Sequence, residues 1–488
     1  MNQDQNNKNF KNFIIYNIPA WAPSIIIFLL LPIYTAYLTP EEFGIRAIIL
    51  LAILLFQIIS NFGVNWTIRA KYFSFKTNNE RNAYFSTILF ISILIHTIIF
   101  LFLYFYNDFF PYVFKNWNIF YSNLFKVQLF IFLLSSFDYC FQPIFIMEHL
   151  SLKYSIITLI NYFLNIGLSL LLLVHYEMGI FSLFYGELAG IALSVTASLF
   201  LLRKKIIFKF EKRAIVDLLK IGLPAVPKNL FSQIQTNINK YFLQIYLPLN
   251  DLGIFAKSEF LYKGTSNIQR AFANAFSPTN IEKILEDGKD EYTNGIMIYW
   301  HFLISGIYVF CTLFLLNVFK IMNVNESFFL CAKYAPYIGF YFVVTSYSMV
   351  YENYLLVGKK TYLITVKAII GGLINIIANI LLIPLLGLIG VIISSSISSA
   401  FAIFIEYYFC KKLLNVKINL NFKIYFIITS IVVTLYILTY FDVIISLYAK
   451  TIIMIIYILF FIIYDMKYSK KYFYNYVKIK LGFRGIIK

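Results

Sequence analysis

Apolar runs long enough to cross a lipid bilayer recur along this chain, and they limit its fold more than any other feature. Ile14–Tyr37, Ile45–Ile59, Ile369–Leu386 and Ile424–Leu438 are examples. About 20 such residues suffice for a membrane span, and a helix satisfies its own backbone inside lipid. Charged residues make up 13% of the chain, against roughly a quarter in a soluble domain. The chain is therefore read as an all-α polytopic membrane protein with fourteen spans. Those that matter most below cover approximately residues 43–66, 122–146, 180–202, 221–247 and 252–276.

A net charge of +18 would suit a nucleic-acid partner, but its placement argues otherwise. The basic residues gather on alternate sides of the spans. Arg203, Lys204, Lys205, Lys209, Lys212 and Arg213 precede span seven, Lys411 and Lys412 follow span twelve, and further ones fill the tail from Lys467 to Lys488. The positive-inside rule then places both termini in the cytoplasm. Anionic lipid headgroups are the expected partner of these charges, and no nucleic acid is. The polar N-terminus runs directly into a full-length span, so that helix is expected to be retained rather than cleaved as a signal. Cys140, Cys311, Cys331 and Cys410 lie too far apart for a disulfide framework or a metal motif, and no cofactor is expected. His96 and His301 stand alone and read as packing residues. Trp66, Trp117 and Trp300 read as an interfacial belt, and Lys228, Lys367 and Glu406 as groups snorkelling to the cytoplasmic interface.

An internal repeat organises the spans. Residues 37–45, YLTPEEFGI, recur as residues 246–254, YLPLNDLGI, offset by 209. Asn165 with Gly179-Ile180 has a counterpart in Asn375 with Gly387-Leu388, and Pro19 and Pro23 in Pro224 and Pro227. The offset covers an even number of helices, so the two halves face the same way. The expected domains are an N-lobe at 1–208, a C-lobe at 209–414, two additional helices at 415–466 and a basic cytoplasmic tail at 467–488.

Two consecutive spans carry matching polar stripes. Asn229, Gln233, Thr236, Asn237, Lys240 and Gln244 stand at i, i+4, i+7, i+8, i+11 and i+15. Glu259, Lys263, Ser266, Asn267, Arg270 and Asn274 repeat that spacing, and Arg46, Gln57 and Asn61 form a sparser version in span two. Each set shares one helix face. A charge facing acyl chains costs about 2.5–3.5 kcal/mol on insertion scales, so these faces meet protein or water. Asn and Gln alone fit helix–helix hydrogen bonding equally well. Matching stripes that include Lys240, Lys263 and Arg270 favour a hydrated wall. Asp138 and Glu187 are candidate ion-coupling sites, and either could instead satisfy a buried cation of the N-lobe. Glu259 most simply pairs with Lys263.

The first repeat turn, the span ending FGVNWTIRAKYF, and the second half opening LLKIGLPAVP carry a resemblance. Over about residues 10–415 the chain resembles the polysaccharide-transporter and O-antigen-flippase branch of the multidrug/oligosaccharidyl-lipid/polysaccharide exporter superfamily. The resemblance implies two six-helix bundles in a V-shaped arrangement around a central cavity, with the last two helices as an extension. It also implies a cargo of polyprenyl-pyrophosphate-linked oligosaccharide, such as an O-antigen or capsule repeat unit, flipped across the bacterial cytoplasmic membrane by alternating access. The expected substrate-binding residues are Arg46, Gln57, Asn61, Gln233, Asn237, Lys240, Glu259, Lys263, Asn267 and Arg270. H+ or Na+ is the expected counter-ion, and glycosyltransferases and polymerases are the expected protein partners. Many relatives carry an acid just before the basic residue of span seven, where this chain has Asn239 before Lys240, so no coupling role is carried over to that position. A multidrug antiporter of the same superfamily is the alternative, but its cationic drugs suit an acidic wall better than a basic one. An enzyme is not expected, because the outer loops lack catalytic carboxylates and no phosphate-binding loop is present.

Overall fold

The computed structural model describes residues 25–72, 74–106, 109–114, 117–148, 150–262, 290–346, 348–357, 362–413, 422–440 and 446–468. Every regular element among them is helical. The main helices are α1 Leu31–Tyr37, α2 Pro40–Asn61, α3 Val64–Lys71, α4 Asn78–Phe105, α5 Ile119–Met147, α6 Ser151–Val174, α7 Phe181–Leu202, α8 Leu223–Tyr246 and α9 over 249–262. Then follow α10 Asp290–Ile321, α11 Phe329–Thr345, α12 Ser348–Val357, α13 Tyr362–Leu386, α14 Leu388–Leu413, α15 Phe422–Tyr440 and α16 Leu447–Tyr468. Among the described residues nine helical segments are long and apolar enough to cross a membrane, and the protein is a polytopic membrane protein. The 24-residue α8 is not one of them. It is about 36 Å long at 1.5 Å per residue, ample for a crossing, but its polar face lowers its hydropathy.

The repeat turn has a clear local logic. Thr39 caps α2 by accepting from the Glu42 amide, while the Glu42 carboxylate accepts from the Thr39 amide at 2.8 Å. Pro40 occupies the first turn, where its missing N–H costs nothing, and Glu41 and Glu42 face the positive end of the helix dipole.

Glycines let the repeat-related turns touch. A Cβ on Gly44 would overlap the carbonyl oxygen of Leu249, and a Cβ on Gly253 would overlap that of Pro40. The contact is reciprocal under the 209-residue offset, since Pro40 corresponds to Leu249 and Gly44 to Gly253. At the other end of α2, Phe62 and Gly63 both adopt left-handed backbone, and Gly63 meets Gly222 backbone to backbone. Between these points α8 packs along α2. Gly179 and Gly387 both have positive φ, at 54° and 58°.

The basic segment between the repeats is stitched down rather than slack. Thr87 Oγ1 accepts from the Glu211 amide at 2.8 Å, and Ser86 Oγ accepts from the Ile207 amide at 2.9 Å. Asp217 is buried against Tyr84 and lies near Lys71 and Arg213, at 3.1, 3.6 and 3.7 Å. Glu148 takes both Lys205 and the Tyr72 hydroxyl.

The chain forms two compact units, Met1–Lys257 with Asn379–Val391, and Ser258–Ala378 with Ile392–Lys488. The first is centred on Val64, Ile88, Phe141 and Ile144 from α3, α4 and α5. The second is centred on Trp300, Tyr308, Val432 and Tyr457, so the last two helices contribute to its core. The Tyr457 hydroxyl donates to the Phe302 carbonyl at 2.8 Å and lies 2.6 Å from Ser305 Oγ. Tyr308 donates to the Val432 carbonyl at 3.2 Å, and Lys450 to Asn317 at 2.9 Å. These contacts correct the belt reading for two tryptophans. Trp300 is 1% exposed inside this core. Trp117 is buried against Phe110 and donates to Ser122. Trp66 is exposed, as an interfacial residue is. His96 and His301 are packing residues: His96 lies 2.8 Å from the Ser92 carbonyl and 3.0 Å from Ser60 Oγ, and His301 lies 2.9 Å from Ser346 Oγ.

Backbone contact at Gly253 leaves no room for a side chain. We expect Gly253→Val to lower the midpoint of thermal unfolding in detergent, by the equivalent of about 1–3 kcal/mol of overpacking. At Gly167 an added Cβ would meet nothing within 4 Å, so this position should tolerate Ala with a gain of about 0.5–1 kcal/mol. Equal behaviour of the two variants in a thermal-shift assay would refute the contact.

Candidate functional site

The polar stripe of α8 is a ladder of its own hydrogen bonds. Asn237 Nδ2 donates to the Gln233 carbonyl at 3.1 Å and to Gln233 Oε1 at 3.2 Å, and Lys240 Nζ lies 3.5 Å from Asn237 Oδ1. Gln233 is exposed, Asn229, Asn237 and Lys240 are half-buried, and Gln244 is buried with its amide on the Val113 carbonyl at 3.3 Å. The side chain of Thr236 lies outside the described residues. Asn239 is off the stripe and accepts from Asn379 Nδ2 at 3.0 Å. Asn239 is thus held by an amide–amide bond to α13.

Elsewhere in the same unit an ion pair links two helices. Arg46 on α2 reaches Glu187 on α7 at 3.0 Å, across 141 residues, with both side chains about one-third exposed. The Arg46 guanidinium also stands 6.0 Å above the Phe184 ring. Glu187 thus satisfies a cation of the first unit, one of the two roles open to it from sequence. Asp138 on α5 is exposed, and among the described residues it makes no hydrogen bond or ion pair. Tyr162 on α6 lies within electrostatic reach of both Asp138 and Glu187. One turn on from Asp138, Gln142 donates to the Tyr154 hydroxyl at 2.9 Å and lies 3.5 Å from Asn65. Gln57 and Asn61 are half-buried on α2, and Asn61 Oδ1 and Arg46 Nε are buried atoms without a hydrogen bond among the described residues.

Sequence reasoning missed α6. Tyr154, Thr158, Asn161, Tyr162, Asn165 and Ser169 follow the same i, i+4, i+7, i+8, i+11, i+15 spacing as the α8 stripe. The signal was present but diluted, because tyrosine counts as apolar. The structure divides this face in two. Asn161, Asn165 and Ser169 close against Gly186 and Gly190 of α7, where a Cβ would collide with them. Tyr154 and Tyr162 lie within electrostatic reach of Asp138.

Among the remaining expected residues, Lys263, Asn267 and Arg270 lie outside the described residues, and Glu259 is half-buried on α9 in the second unit. Snorkelling is corrected for two groups. Glu406 is 0% exposed and Lys367 13%, and the two pair at 2.6 Å within the second unit. The Lys228 side chain lies outside the described residues.

A model of the polysaccharide biosynthesis protein family matches residues 35–290, just over half of the chain. The chain belongs to that family. No curated protein matches it. Among solved structures this family member is similar to a lipid II flippase, MurJ, in an inward closed conformation, with 17% identity, TM-score 0.69, and 94% of this chain and 99% of that one covered. It is also similar to an inward-facing multidrug resistance MATE family transporter of the MOP superfamily, with 15% identity, TM-score 0.64, and coverage of 80% and 94%. A third likeness is to a MOP superfamily transporter from Pyrococcus furiosus whose binding pocket is described as having reverse polarity, with 14% identity, TM-score 0.55, and coverage of 83% and 96%. The fold is that of the MOP-superfamily transporters and flippases.

The Arg46–Glu187 pair predicts non-additive mutants. Arg46→Ala leaves a half-buried carboxylate without its partner, as Glu187→Ala does the guanidinium. A double-mutant cycle read by thermal unfolding should return a coupling of ~1 kcal/mol, with the double mutant less damaged than the sum of the singles. Strict additivity would show that the contact contributes nothing.

Proposed function

We propose that this protein is a flippase for polyprenyl-pyrophosphate-linked oligosaccharide, such as an O-antigen or capsule repeat unit, in the bacterial cytoplasmic membrane. The observation that carries this reading is the α8 ladder Gln233–Asn237–Lys240, a cationic and amide-rich face on a helix of a polysaccharide biosynthesis family member. A pyrophosphate headgroup carries several negative charges and pairs with Lys or Arg by charge-assisted hydrogen bonds. Asn and Gln side chains exchange hydrogen bonds with sugar hydroxyls whatever the glycan. The likeness to a lipid II flippase supports a lipid-linked cargo.

Under this reading both termini are cytoplasmic, and the two repeat-related lobes alternate access. Headgroup and sugars pass along the polar wall while the polyprenyl chain stays in lipid. Arg46, Gln57, Asn61, Gln233, Asn237 and Lys240 line the path. Lys263, Asn267 and Arg270, with Glu259, are the further cargo-binding residues of this reading. Asp138 is the stronger of the two coupling candidates, because Glu187 is already held by Arg46. H+ or Na+ is the counter-ion, and glycosyltransferase and polymerase enzymes of the same biosynthesis are the protein partners. The protein itself makes and breaks no covalent bond.

The likeness to a multidrug resistance transporter supports the second reading, an ion-coupled small-molecule antiporter. The cargo's charge decides between the two, since an anion needs Lys240 and a cation does not. In cells lacking the native protein, Lys240→Ala should reduce surface glycan at least tenfold while membrane insertion is unchanged, and Lys240→Arg should restore most of it. Lys263→Ala and Arg270→Ala should each act like Lys240→Ala. Full surface glycan in all three alanine variants, measured by glycan immunoblot, would remove the cationic-path assignment. Drug resistance that survives in them would point to the antiporter.

A further inference from the structure

The second unit holds a charge cluster, enclosed at Glu406 and open at Glu352, that the cargo path does not use. Lys367 on α13 sits 2.8 Å from Glu352 on α12, 2.6 Å from Glu406 on α14, and 3.1 Å from Ser348 Oγ at the start of α12. Ser348 Oγ in turn donates to Glu406 Oε2 at 2.8 Å and lies 3.4 Å from Glu352 Oε1. Three helices thus meet on one ammonium group.

The charges do not balance. Two carboxylates against one ammonium leave one negative charge uncompensated when all three are ionised. Such a charge is costly away from water, and two carboxylates sharing a site resolve the conflict by sharing a proton. The two are unequally placed, since Glu406 is 0% exposed and Glu352 41%. Lys367 is five residues into α13, and Glu406 seven from the end of α14, so both lie about 8–10 Å inside their helices at 1.5 Å per residue. The nearby helix ends are those that Lys411 and Lys412 mark as cytoplasmic.

Among the described residues Lys367 is the one cation within ion-pair distance of the two carboxylates. Tyr341 on α11 is within reach of Lys367 and of Glu259. Cys410 on α14 is within reach of Glu406, and its thiol points to the Tyr351 carbonyl on α12 at 3.6 Å. On α10, His301 is engaged by Ser346 at 2.9 Å. Lys359 and Lys360, in the turn after α12, lie outside the described residues.

We propose that Glu352 and Glu406 form a proton-binding site, in which one proton is shared by the two carboxylates and Lys367 is the fixed counter-charge. Binding adds H+ to one carboxylate oxygen and takes the cluster from one negative charge to neutral, with no other bond made or broken. The ammonium already fills the place between the oxygens that a metal cation would need, so the ligand is a proton rather than Na+. With the proton on Glu406, its carboxyl donates to Ser348 Oγ, reversing the present bond, and Lys367 is left to Glu352 alone. Loss of the proton draws all three helices onto Lys367, which ties their packing to the proton. Its service as a coupling ion rests on the transporter reading above, whereas proton binding does not.

Infrared difference spectroscopy of the purified full-length protein tests this without any substrate, so its failure and the failure of the flippase reading are distinguishable. On cycling between acid and alkaline buffer, the wild type should gain and lose a carboxyl C=O band. Glu406→Gln and Glu352→Gln should each lose it, since one carboxylate with Lys367 is neutral without a proton. Lys367→Met should keep the band to more alkaline buffer. Glu406→Asp, the conservative variant, should keep a band at shifted frequency, and it carries the test if Glu406→Gln does not elute as folded protein. A wild-type band unchanged in Glu406→Gln, or no wild-type band, overturns the proposal. A band suppressed by NaCl but not by choline chloride at constant pH also overturns it, in favour of Na+.

Discussion

A charge inside a bilayer-spanning helix must find a counter-charge or water, and the arrangement of this protein follows from how each one does so. Arg46 finds Glu187 across the first unit, and Lys367 finds Glu352 and Glu406 in the second. Where the basic segment between the repeats meets the first unit, Asp217 and Glu148 collect Lys71, Arg213 and Lys205. Lys240 also lies 3.5 Å from the side-chain oxygen of Asn237 on its own helix. Pairs and amide ladders are different solutions. A pair holds two helices together, whereas a ladder runs along one helix and here ends at the exposed Gln233.

Close backbone approach is the second organising constraint. Without a hydrophobic drive between helices in lipid, association depends on packing and on small residues that let backbones meet. The two ends of α2 use glycine for this, Gly44 against the turn at Leu249 and Gly63 against Gly222. The first of these contacts joins the two turns of similar sequence, with Gly44 against Leu249 and Gly253 against Pro40. Gly186 and Gly190 do the same between α6 and α7, with asparagine and serine side chains filling the notch.

The fold was largely legible in the sequence because its rules are local. Span length, the TPEE cap of α2, the left-handed glycines at 179 and 387, and the α8 stripe all depend on residues within a turn or two of one another. What escaped was tertiary. Nothing near Arg46 announces Glu187, 141 positions away. Trp300 and the Lys367–Glu406 pair lie near span ends in the linear count, and that position suggested an interface. Only the packing of α10 with α15 and α16, and of α12 with α13 and α14, encloses them. The α6 stripe was overlooked for a chemical reason: tyrosine is apolar by area but carries a hydroxyl, and hydropathy averages hide the second property. In the site itself, the α8 ladder was readable from spacing. Which of its amides bond within the helix, and which remain open, was not.

These two kinds of polar group also separate scaffold from working parts. A pair such as Arg46–Glu187 is joined before any substrate arrives and holds α2 to α7, even where its one-third exposed side chains border the proposed path. Asp138 and Gln233 are exposed, and among the described residues neither is tied to another helix. The Lys367 cluster belongs to neither class. It is closed on the Glu406 side, half-open on the Glu352 side, and one positive charge short of balance. Shape-preserving pairs are balanced and cargo faces are open. A group that is enclosed yet unbalanced has a different use, which is to change its own charge and alter helix packing as it does so.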